Sequence, residues 1–210
     1  MKIIEPTFII ESLINGNEIL KQIEKAGRTA YKSEGYITND SAEKFVRMII
    51  GRGHLSVIEH YSVTVRIICD RGVSHEIVRH RLASYTQEST RYCNYAKGKF
   101  GNEITVIKPC FWNKNDEKYS TWKQAIEQIE HAYNKLIELG ASPQEARSIL
   151  PNSLKTEIVI TMNLREWLHF FTLRTSEAAH PQMREIAIPL LKEFQKSIPV
   201  IFDEIITSDQ

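Results

Sequence analysis

The sequence contains 210 residues, 42% of them hydrophobic, and its 27 basic and 26 acidic side chains leave a formal net charge of +1. This composition is typical of a soluble globular protein with a sizeable core. The balanced charge excludes a chain-wide attraction to nucleic acid or to an anionic membrane, so any site for an anion must be local.

The amino-terminal segment lacks the pattern of a targeting segment. Glu5, Pro6 and Glu11 interrupt what would be the apolar region of a signal peptide, and no run of about 18 apolar residues is present that could span a membrane. We therefore expect a cytoplasmic protein that does not associate with membranes.

The cysteines argue against a disulfide framework and against a metal site. Cys69, Cys93 and Cys110 form no CxxC pair and are odd in number, whereas a four-thiolate zinc site needs paired cysteines. We predict buried thiols and no metal.

In chain order, the first half of the sequence predicts two helices and a strand. Apolar residues at helical spacing predict a helix around 19–30. A second helix begins near Asp40, where Asp40 and Glu43 resemble a capping box. Residues 61–69 alternate between apolar and polar, which predicts a half-buried strand, and residues 70–72 predict a turn after it.

The middle of the chain continues this alternation. A short helix is predicted from Val73 to about Arg81, and a short strand follows at 104–107. A long helix is predicted over 122–137, ending at Gly140, and residues 142–145 (Ser-Pro-Gln-Glu) predict a new helix start with a capping box.

The last third predicts one more strand and two helices. Residues 154–162 alternate as a strand, Asn163 and Glu166 cap the next helix, and a final helix follows Pro181. Trp167 and its aromatic neighbours are predicted to be core residues. Because no linker or composition shift interrupts the chain, we predict one α/β (α+β) domain over 1–210, with a single mixed sheet flanked by helices.

Residues 75–92 carry an unusual density of polar side chains. His75 and Glu76 are followed by His80, but a zinc-protease helix needs its histidines four residues apart and these are five apart. At about 100° per residue the two imidazoles lie roughly 140° apart around a helix, so we reject this type of metal site.

Three consecutive residues of this segment suggest an anion site. Arg79, His80 and Arg81 place two permanent cations beside a titratable imidazole, and guanidinium groups suit phosphate or pyrophosphate. In isolation such a triplet is more often a solvated basic face. Nearby hydroxyls and a third guanidinium favour a nucleotide phosphate instead; they belong to Ser84, Ser89, Thr90 and Arg91.

At this point the sequence resembles a known family. Residues 79–92 (RHRLASYTQESTRY) are similar to the RHR-x-x-S-x-x-x-x-S-x-R-Y signature of flavin-dependent thymidylate synthases. Residues 53–60 (GHLSVIEH) and 145–151 (EARSILP) match further segments of that family. Its carboxyl-terminal pattern is matched by Asn163-Leu164-Arg165, His169, Leu173-Arg174 and His180.

The resemblance implies a specific reaction. Members of the family methylate dUMP to dTMP, using 5,10-methylenetetrahydrofolate as carbon donor and FAD to carry hydride from NADPH. The family forms homotetramers whose sites are shared between subunits, so the implied partners are dUMP, folate and other copies of the chain, without nucleic acid. No GxGxxG segment follows a predicted strand, so a Rossmann mode of FAD binding is not indicated.

The resemblance also implies roles for individual residues. FAD would be held by Ser56, Arg79, His80, Arg81, Asn163, Arg165 and His169. The nucleotide would be held by Glu76, Arg79, Gln87, Glu88, Ser89, Thr90, Arg91, Arg147 and Arg174. Of these, Arg174 would polarise the pyrimidine and is the predicted catalytic residue.

An alternative of a different class is an RNA-binding module. It would use the basic and aromatic segment Arg79–Tyr92 together with Tyr95 for phosphate and stacking contacts. The absence of a basic excess disfavours this alternative. Purified protein distinguishes the two, because a flavoprotein is yellow, whereas an RNA-binding protein is colourless and carries nucleic acid.

Overall fold

The structure is a computed structural model that describes residues 1–96, 101 and 103–207. The helices are α1 (Gly16–Thr29), α2 (Ser41–Gly51), α3 (Arg71–Ile77), α4 (Glu117–Glu138), α5 (Pro143–Ala146), α6 (Leu164–Arg174), α7 (Pro181–Ser197) and α8 (Pro199–Phe202). The strands are β1 (Lys2–Ile4), β2 (Thr7–Ile10), β3 (Ser62–Asp70), β4 (Ala83–Gln87), β5 (Thr105–Ile107) and β6 (Lys155–Asn163).

Two sheets occur within the described residues. The larger one has four strands in the order β2-β3-β6-β4, and the smaller one pairs β1 with β5 in parallel, with Ile3 opposite Val106. Strands β3 and β6 are antiparallel, because Thr64 contacts Thr161 while the amide of Arg71 donates to the carbonyl of Leu154. The mixed α/β class that the sequence predicted is confirmed, but the prediction of a single sheet was wrong, because β1 and β5 pair apart from the four-stranded sheet.

The chain forms two compact units, and neither is continuous in sequence. The first unit contains Met1–Thr7, Ile67–Arg79 and Thr86–Ile158. The second unit contains Phe8–Arg66, His80–Tyr85 and Val159–Gln210. Because each unit is assembled from separated segments, no linker in the sequence marks a boundary between them. The single domain over 1–210 stays a prediction.

The first unit has its own apolar core around helix α4. Ile126 and Tyr133 of α4 pack with Val106 and Tyr95, all of them buried. The start of α5 beside this core has the predicted capping box, in which the Glu145 carboxylate accepts from the backbone amide of Ser142 at 2.8 Å.

An aromatic cluster forms the core of the second unit. The predicted core residues Trp167, Phe170 and Phe171 are fully buried and contact one another. Phe171 also meets Phe194 of α7 and Phe202 of α8 at ring-centroid distances of 5.0 and 5.7 Å. The indole nitrogen of Trp167 donates to the carbonyl of Val63 at 3.1 Å, which joins α6 to β3 within this unit.

Helices α1 and α2 of the second unit approach each other at a glycine. A Cβ atom on Gly27 would stand 2.7 Å from the ring of Phe45 and 2.9 Å from a methyl group of Val57. A glycine is therefore required here by close packing. Next to it, Glu24 is buried and pairs with Arg28 at 2.7 Å, a burial that the apolar spacing of this helix did not predict.

Several local predictions were wrong. Asp70 does not close a turn but is the N-cap of α3, where its carboxylate accepts from the amide of Val73 at 2.7 Å. Asp40 precedes α2 without a side-chain capping bond, so the capping box with Glu43 does not form. Strand β4 lies where no strand was predicted.

The membrane and cysteine predictions have separate outcomes. None of the helices in the described part of the chain is long and apolar enough to cross a membrane. All three cysteines are described and none forms a disulfide, but only Cys69 is fully buried, whereas Cys110 is exposed, so the prediction of buried thiols was wrong for Cys110.

Candidate active site

The RHR segment follows α3 and presents its three side chains differently. His80 is only 4% exposed, while Arg79 and Arg81 on either side of it are exposed. The backbone carbonyl of His80 accepts a hydrogen bond from the hydroxyl of Tyr85 in β4 at 2.5 Å. The triplet therefore buries its imidazole and leaves its guanidinium groups in water.

Both ring nitrogens of His80 contact side chains of helix α6. The guanidinium of Arg174 donates from Nε to His80 Nε2 at 3.0 Å, and Glu166 Oε1 lies 3.3 Å from His80 Nδ1. The rings of His169 and Phe170 pack edge-on against the imidazole, with centroid distances of 5.7 and 5.0 Å.

The spacing of α6 explains why these groups meet. Glu166, Phe170 and Arg174 follow one another at intervals of four residues, and residues four apart share a helix face. Asn163 caps the helix as predicted, because its side-chain oxygen accepts from the amide of Glu166 at 2.9 Å. The face toward His80 thus carries a carboxylate, an aromatic ring and a guanidinium.

Arg165 lies on another side of the same helix. Both Arg165 and Arg174 belong to α6, so their separation of nine positions corresponds to a rotation of roughly 180°. Arg165 is half exposed and pairs with Glu59 at 2.5 Å. Glu59 belongs to the 3-10 turn at Leu55–His60, which also carries the exposed Ser56.

The environment of His80 keeps its imidazole neutral. Burial, the charge of Arg174 and the charge of His169 together lower the pKa of His80 from 6.5 to about 4. A neutral imidazole has one donor and one acceptor nitrogen. Since Nε2 accepts from Arg174, the proton must be on Nδ1, where it is donated to the Glu166 carboxylate.

His80, Glu166 and His169 bring metal-ligand atoms within 4.8 Å of one another. Arg174, however, donates to Nε2 of His80, and the proton on Nδ1 points to Glu166. Neither nitrogen of His80 then presents a lone pair to a cation, and a guanidinium stands beside the cluster. We therefore assign no metal to it.

The other residues assigned to the nucleotide belong to the first unit: Glu76, Arg79, Gln87, Glu88, Ser89, Thr90, Arg91 and Arg147. Glu76 belongs to α3, and Gln87 ends β4. The side-chain amide of Gln87 donates to the hydroxyls of Ser74 and Thr156 at 2.9 and 3.2 Å. Gln87 is therefore held by the protein itself.

The carboxylate of Glu88 is engaged on both oxygens. Lys155 lies 2.9 Å from one oxygen, and the hydroxyl of Tyr95 donates to the other at 3.0 Å. Lys155 also pairs with Glu157 at 2.6 Å, so Glu88, Lys155 and Glu157 form a partly buried ionic network. A role of Glu88 toward a nucleotide stays a prediction, and its carboxylate already has internal partners.

The loop after β4 presents cations and hydroxyls. Ser89 accepts at its hydroxyl from the amide of Arg91 at 3.3 Å, and the hydroxyl of the buried Thr90 accepts from Arg147 at 3.4 Å. Both Arg91 and Arg147 are exposed. The guanidinium of Arg91 lies 5.5 Å from the ring centroid of Tyr92.

A large cleft elsewhere in the first unit does not coincide with these residues. It encloses about 640 Å³ beside β1 and α4, where Glu5, Lys108 and Lys123 line it. None of the described residues assigned to FAD or dUMP lines this cleft.

The residue that sequence reasoning missed is Glu166. Its backbone was assigned to the helix cap, but its side chain is only 7% exposed and faces His80. The only sequence signal was its spacing of eight residues from Arg174 on one helix. Without the position of His80 that spacing has no special meaning.

Comparison with known proteins identifies the family. The profile described as "Thymidylate synthase complementing protein" matches residues 12–200. Because this match covers most of the chain, the protein belongs to that family. The resemblance drawn from residues 53–180 is thereby confirmed.

Individual relatives agree with this assignment. A flavin-dependent thymidylate synthase of Pyrococcus furiosus is 39% identical over 171 residues, which cover 81% of this chain and 69% of the relative. One from Pyrococcus abyssi is 39% identical over 161 residues, and the match spans only 65% of that relative. The chain is 34% identical over 184 residues to the enzyme of the same name from Geobacter sulfurreducens, with 84% of this chain and 78% of the relative covered.

A solved structure shows the same fold. The UMP/dUMP methylase PolB from Streptomyces cacaoi, crystallised with 5-Br dUMP, superposes with a TM-score of 0.77 over 97% of this chain and 96% of that one, at 23% identity. At this identity the likeness establishes the fold alone. It confirms the mixed α/β class and gives no indication of a Rossmann fold.

Proposed function

We propose that this protein methylates dUMP to dTMP, with 5,10-methylenetetrahydrofolate as the carbon donor and FAD carrying hydride from NADPH. The family match supports the reaction class. The structural observation that carries the proposal concerns Arg174, the last residue of α6. Its guanidinium is held by the buried, neutral imidazole of His80. A fixed cation of this kind stabilises charge that develops on a ring next to it.

The donor groups present fit the charge of the proposed cofactor and substrate. FAD and dUMP both carry phosphate, and in a chain of net charge +1 their binding must depend on local groups of arginines. Exposed guanidinium groups occur at Arg79, Arg91 and Arg147 in the first unit; in the second unit Arg81 is exposed and Arg165 is half exposed. These groups offer the planar donor pairs that phosphate oxygens accept.

Each residue then has a limited task. FAD supplies the hydride chemistry when it is bound. Arg81, Arg165 and the exposed Ser56 bind and orient the flavin, and Asn163 contributes while it also caps α6. His169, also a residue of α6, packs its ring against that of His80.

Arg174 acts on the pyrimidine itself. Its Nε bond to His80 sets the plane of the guanidinium, so the terminal nitrogens are oriented before the nucleotide arrives. A planar donor pair beside a ring carbonyl and N3 favours the anionic form of the ring without reorganisation of the protein. The roles of the remaining nucleotide residues follow the family resemblance.

The proposal includes an assembly and a location. A homotetramer would share its sites between subunits, and the reaction would take place in the cytoplasm. The relatives' names support a flavin enzyme, and the tetramer, the folate and NADPH rest on the resemblance of residues 53–180.

The tyrosines argue against the RNA-binding alternative. A stacking platform needs exposed rings. Tyr95 is 4% exposed and bonded to Glu88, and the hydroxyl of Tyr85 is bonded to the His80 carbonyl. Only Tyr92 of the three is highly exposed, at 78%.

A spectrum and a product assay test the function together. We expect purified protein to absorb as a bound flavin and to form dTMP from dUMP only when 5,10-methylenetetrahydrofolate and NADPH are both supplied. Omitting each co-substrate in turn is the control. Colourless protein that copurifies with nucleic acid and makes no dTMP would contradict the proposal and favour the RNA-binding alternative.

A further inference from the structure

We propose that Glu166 is a positioning residue, which acts through His80 to hold the guanidinium of Arg174 in its working orientation. The inference deepens the proposed function and rests on it. Three side-chain groups in a row carry it: the Glu166 carboxylate at 3.3 Å from His80 Nδ1, the imidazole, and the guanidinium of Arg174, whose Nε lies 3.0 Å from His80 Nε2. The imidazole therefore stands between a carboxylate and a guanidinium.

The direction of this relay follows from the donors. An arginine side chain can only donate, and a carboxylate can only accept. A neutral imidazole between them satisfies both partners in one tautomer alone, with the proton on Nδ1 and the lone pair on Nε2. In the other tautomer an N–H group would point at Arg174 and a lone pair at Glu166, so both contacts would become repulsive.

Burial makes the choice of tautomer matter. His80 is 4% and Glu166 is 7% exposed, so water does not readily replace a lost partner. The edge-on rings of Phe170 and His169 restrict rotation of the imidazole further. Because the ring is fixed, the lone pair on Nε2 has one direction, and the Nε of Arg174 must lie along it to donate its hydrogen bond.

The carboxylate is well placed for this task. Glu166 is in the first turn of α6, where the helix dipole favours negative charge. Its backbone amide is already satisfied by Asn163 at 2.9 Å, so the side chain is not needed for the cap. The chain thus keeps a buried carboxylate whose side chain contacts the histidine that holds Arg174.

An orienting carboxylate behind a histidine is a known device. In serine proteases a buried Asp holds the catalytic imidazole in one tautomer, and replacing that Asp by Asn permits the wrong one. Here the imidazole accepts from an arginine instead of serving as a base. The physical requirement on its tautomer is the same.

The test is Glu166→Gln, which keeps shape and removes the obligatory acceptor. An amide can turn its NH₂ toward Nδ1 and so stabilise the wrong tautomer. We expect kcat for dTMP formation to fall roughly 10- to 100-fold, by analogy with the loss of a carboxylate that orients a metal-bound histidine. Flavin content and the melting temperature should change little.

Glu24→Gln is the matched control. Glu24 is another buried glutamate of the second unit, at 1% exposure, and it pairs with Arg28 away from His80. This variant should lose stability but keep kcat at temperatures where it is folded. A kcat loss in the control equal to that in Glu166→Gln would overturn the positioning role.

A second readout does not depend on activity. The ¹⁵N shifts of the His80 ring, assigned by their disappearance in His80→Gln, report which nitrogen carries the proton. We expect the proton on Nδ1 in the parent protein and a shift toward Nε2 in Glu166→Gln. A parent protein with the proton on Nε2 would overturn the inference, even if Glu166→Gln did not fold.

The outcomes separate the two proposals. If the parent protein makes no dTMP, the proposed function fails and the positioning role fails with it. If the parent makes dTMP and Glu166→Gln keeps kcat within twofold, the inference alone is overturned. A large loss of kcat in Glu166→Gln together with the tautomer change supports both.

Discussion

In the proposed mechanism, Arg174 combines two tasks that a different cation could not perform together. Its Nε donates to His80 at 3.0 Å, and the same rigid plane carries the terminal nitrogens. A lysine keeps the charge but has a single nitrogen on a flexible stem, so it loses the planar fork. The identity of the residue therefore matters beyond its charge.

We predict that Arg174→Lys keeps its fold and its flavin but loses turnover. Removing one preorganised donor from a site that stabilises developing charge costs roughly 10²- to 10³-fold in kcat. The measurement is kcat at saturating dUMP, with flavin absorbance and the melting temperature as controls. Near-normal turnover at saturating dUMP would reduce Arg174 to a binding residue.

His80 should make the stability of the protein depend on pH. Its pKa falls from 6.5 in the unfolded chain to about 4 in the folded one, because of burial and the charges of Arg174 and His169. Between these pH values the unfolded state binds more protons, so the free energy of unfolding rises with pH. The contribution of His80 is present above pH 6.5 and is lost as pH falls through about 4.

We therefore predict that the urea midpoint of the parent protein falls between pH 6.5 and 4, and that His80→Gln flattens this part of the profile. Glu166 and Tyr85 also contact His80, and both remain in the variant. Equal slopes for the parent protein and His80→Gln would show that other groups cause the pH dependence.

At the scale of the element, helix α6 serves the core and the site with different faces. Trp167 and Phe171 pack into the aromatic cluster, while Glu166 and Arg174 face His80. The N-cap holds the first turn of this helix in place. Asn163 consequently has a structural task beside the flavin contact that the resemblance implies.

Two substitutions of Asn163 separate these tasks. Asn163→Asp keeps an oxygen that accepts from the Glu166 amide, so stability should be retained. The variant has no side-chain NH₂ group and can no longer donate to the flavin. Asn163→Ala should cost about 1 kcal/mol of unfolding free energy as well, the usual value of a lost N-cap. Urea denaturation and flavin titration of both variants check this. If Asn163→Asp bound flavin normally, the side-chain NH₂ would have no role in binding.

At the scale of the whole molecule, a near-neutral chain must concentrate its cations to hold two phosphorylated ligands. The net charge is +1, so binding depends on a few local arginines and not on the overall charge. If the sites are shared between subunits, flavin binding and assembly stabilise each other, because a ligand that bridges subunits binds only the assembled form.

We predict that the double variant Arg81→Ala and Arg165→Ala loses flavin and tetramer together. Each lost charge-assisted bond costs about 1.5–3 kcal/mol, which raises the flavin dissociation constant roughly 10²-fold or more. Absorbance and sedimentation velocity measure the two effects, and Arg52→Ala, at another exposed arginine, is the control. Full flavin occupancy in the double variant would refute the prediction.

Much of the fold could be predicted because its signals are local. The strict alternation of residues 61–69 and 154–162 reappears as strands β3 and β6, and the Ser142–Glu145 capping box begins α5. Such patterns depend on periodicity and on hydrogen bonds between near neighbours. At Asp70 the local signal was interpreted as a turn, whereas in the structure its carboxylate caps α3.

The sequence alone also determined the family and the reaction class. The signature at 79–92 and each of the other matching segments is a continuous stretch of residues, which can be recognised without the fold. What only the tertiary structure decided is how these residues work together. The sequence does not indicate that His80 is buried or that Glu166 faces it, because these residues are 86 positions apart. Their contact depends on the packing of α6 against His80 within the second unit. That packing alone selects the tautomer of His80 and the orientation of Arg174.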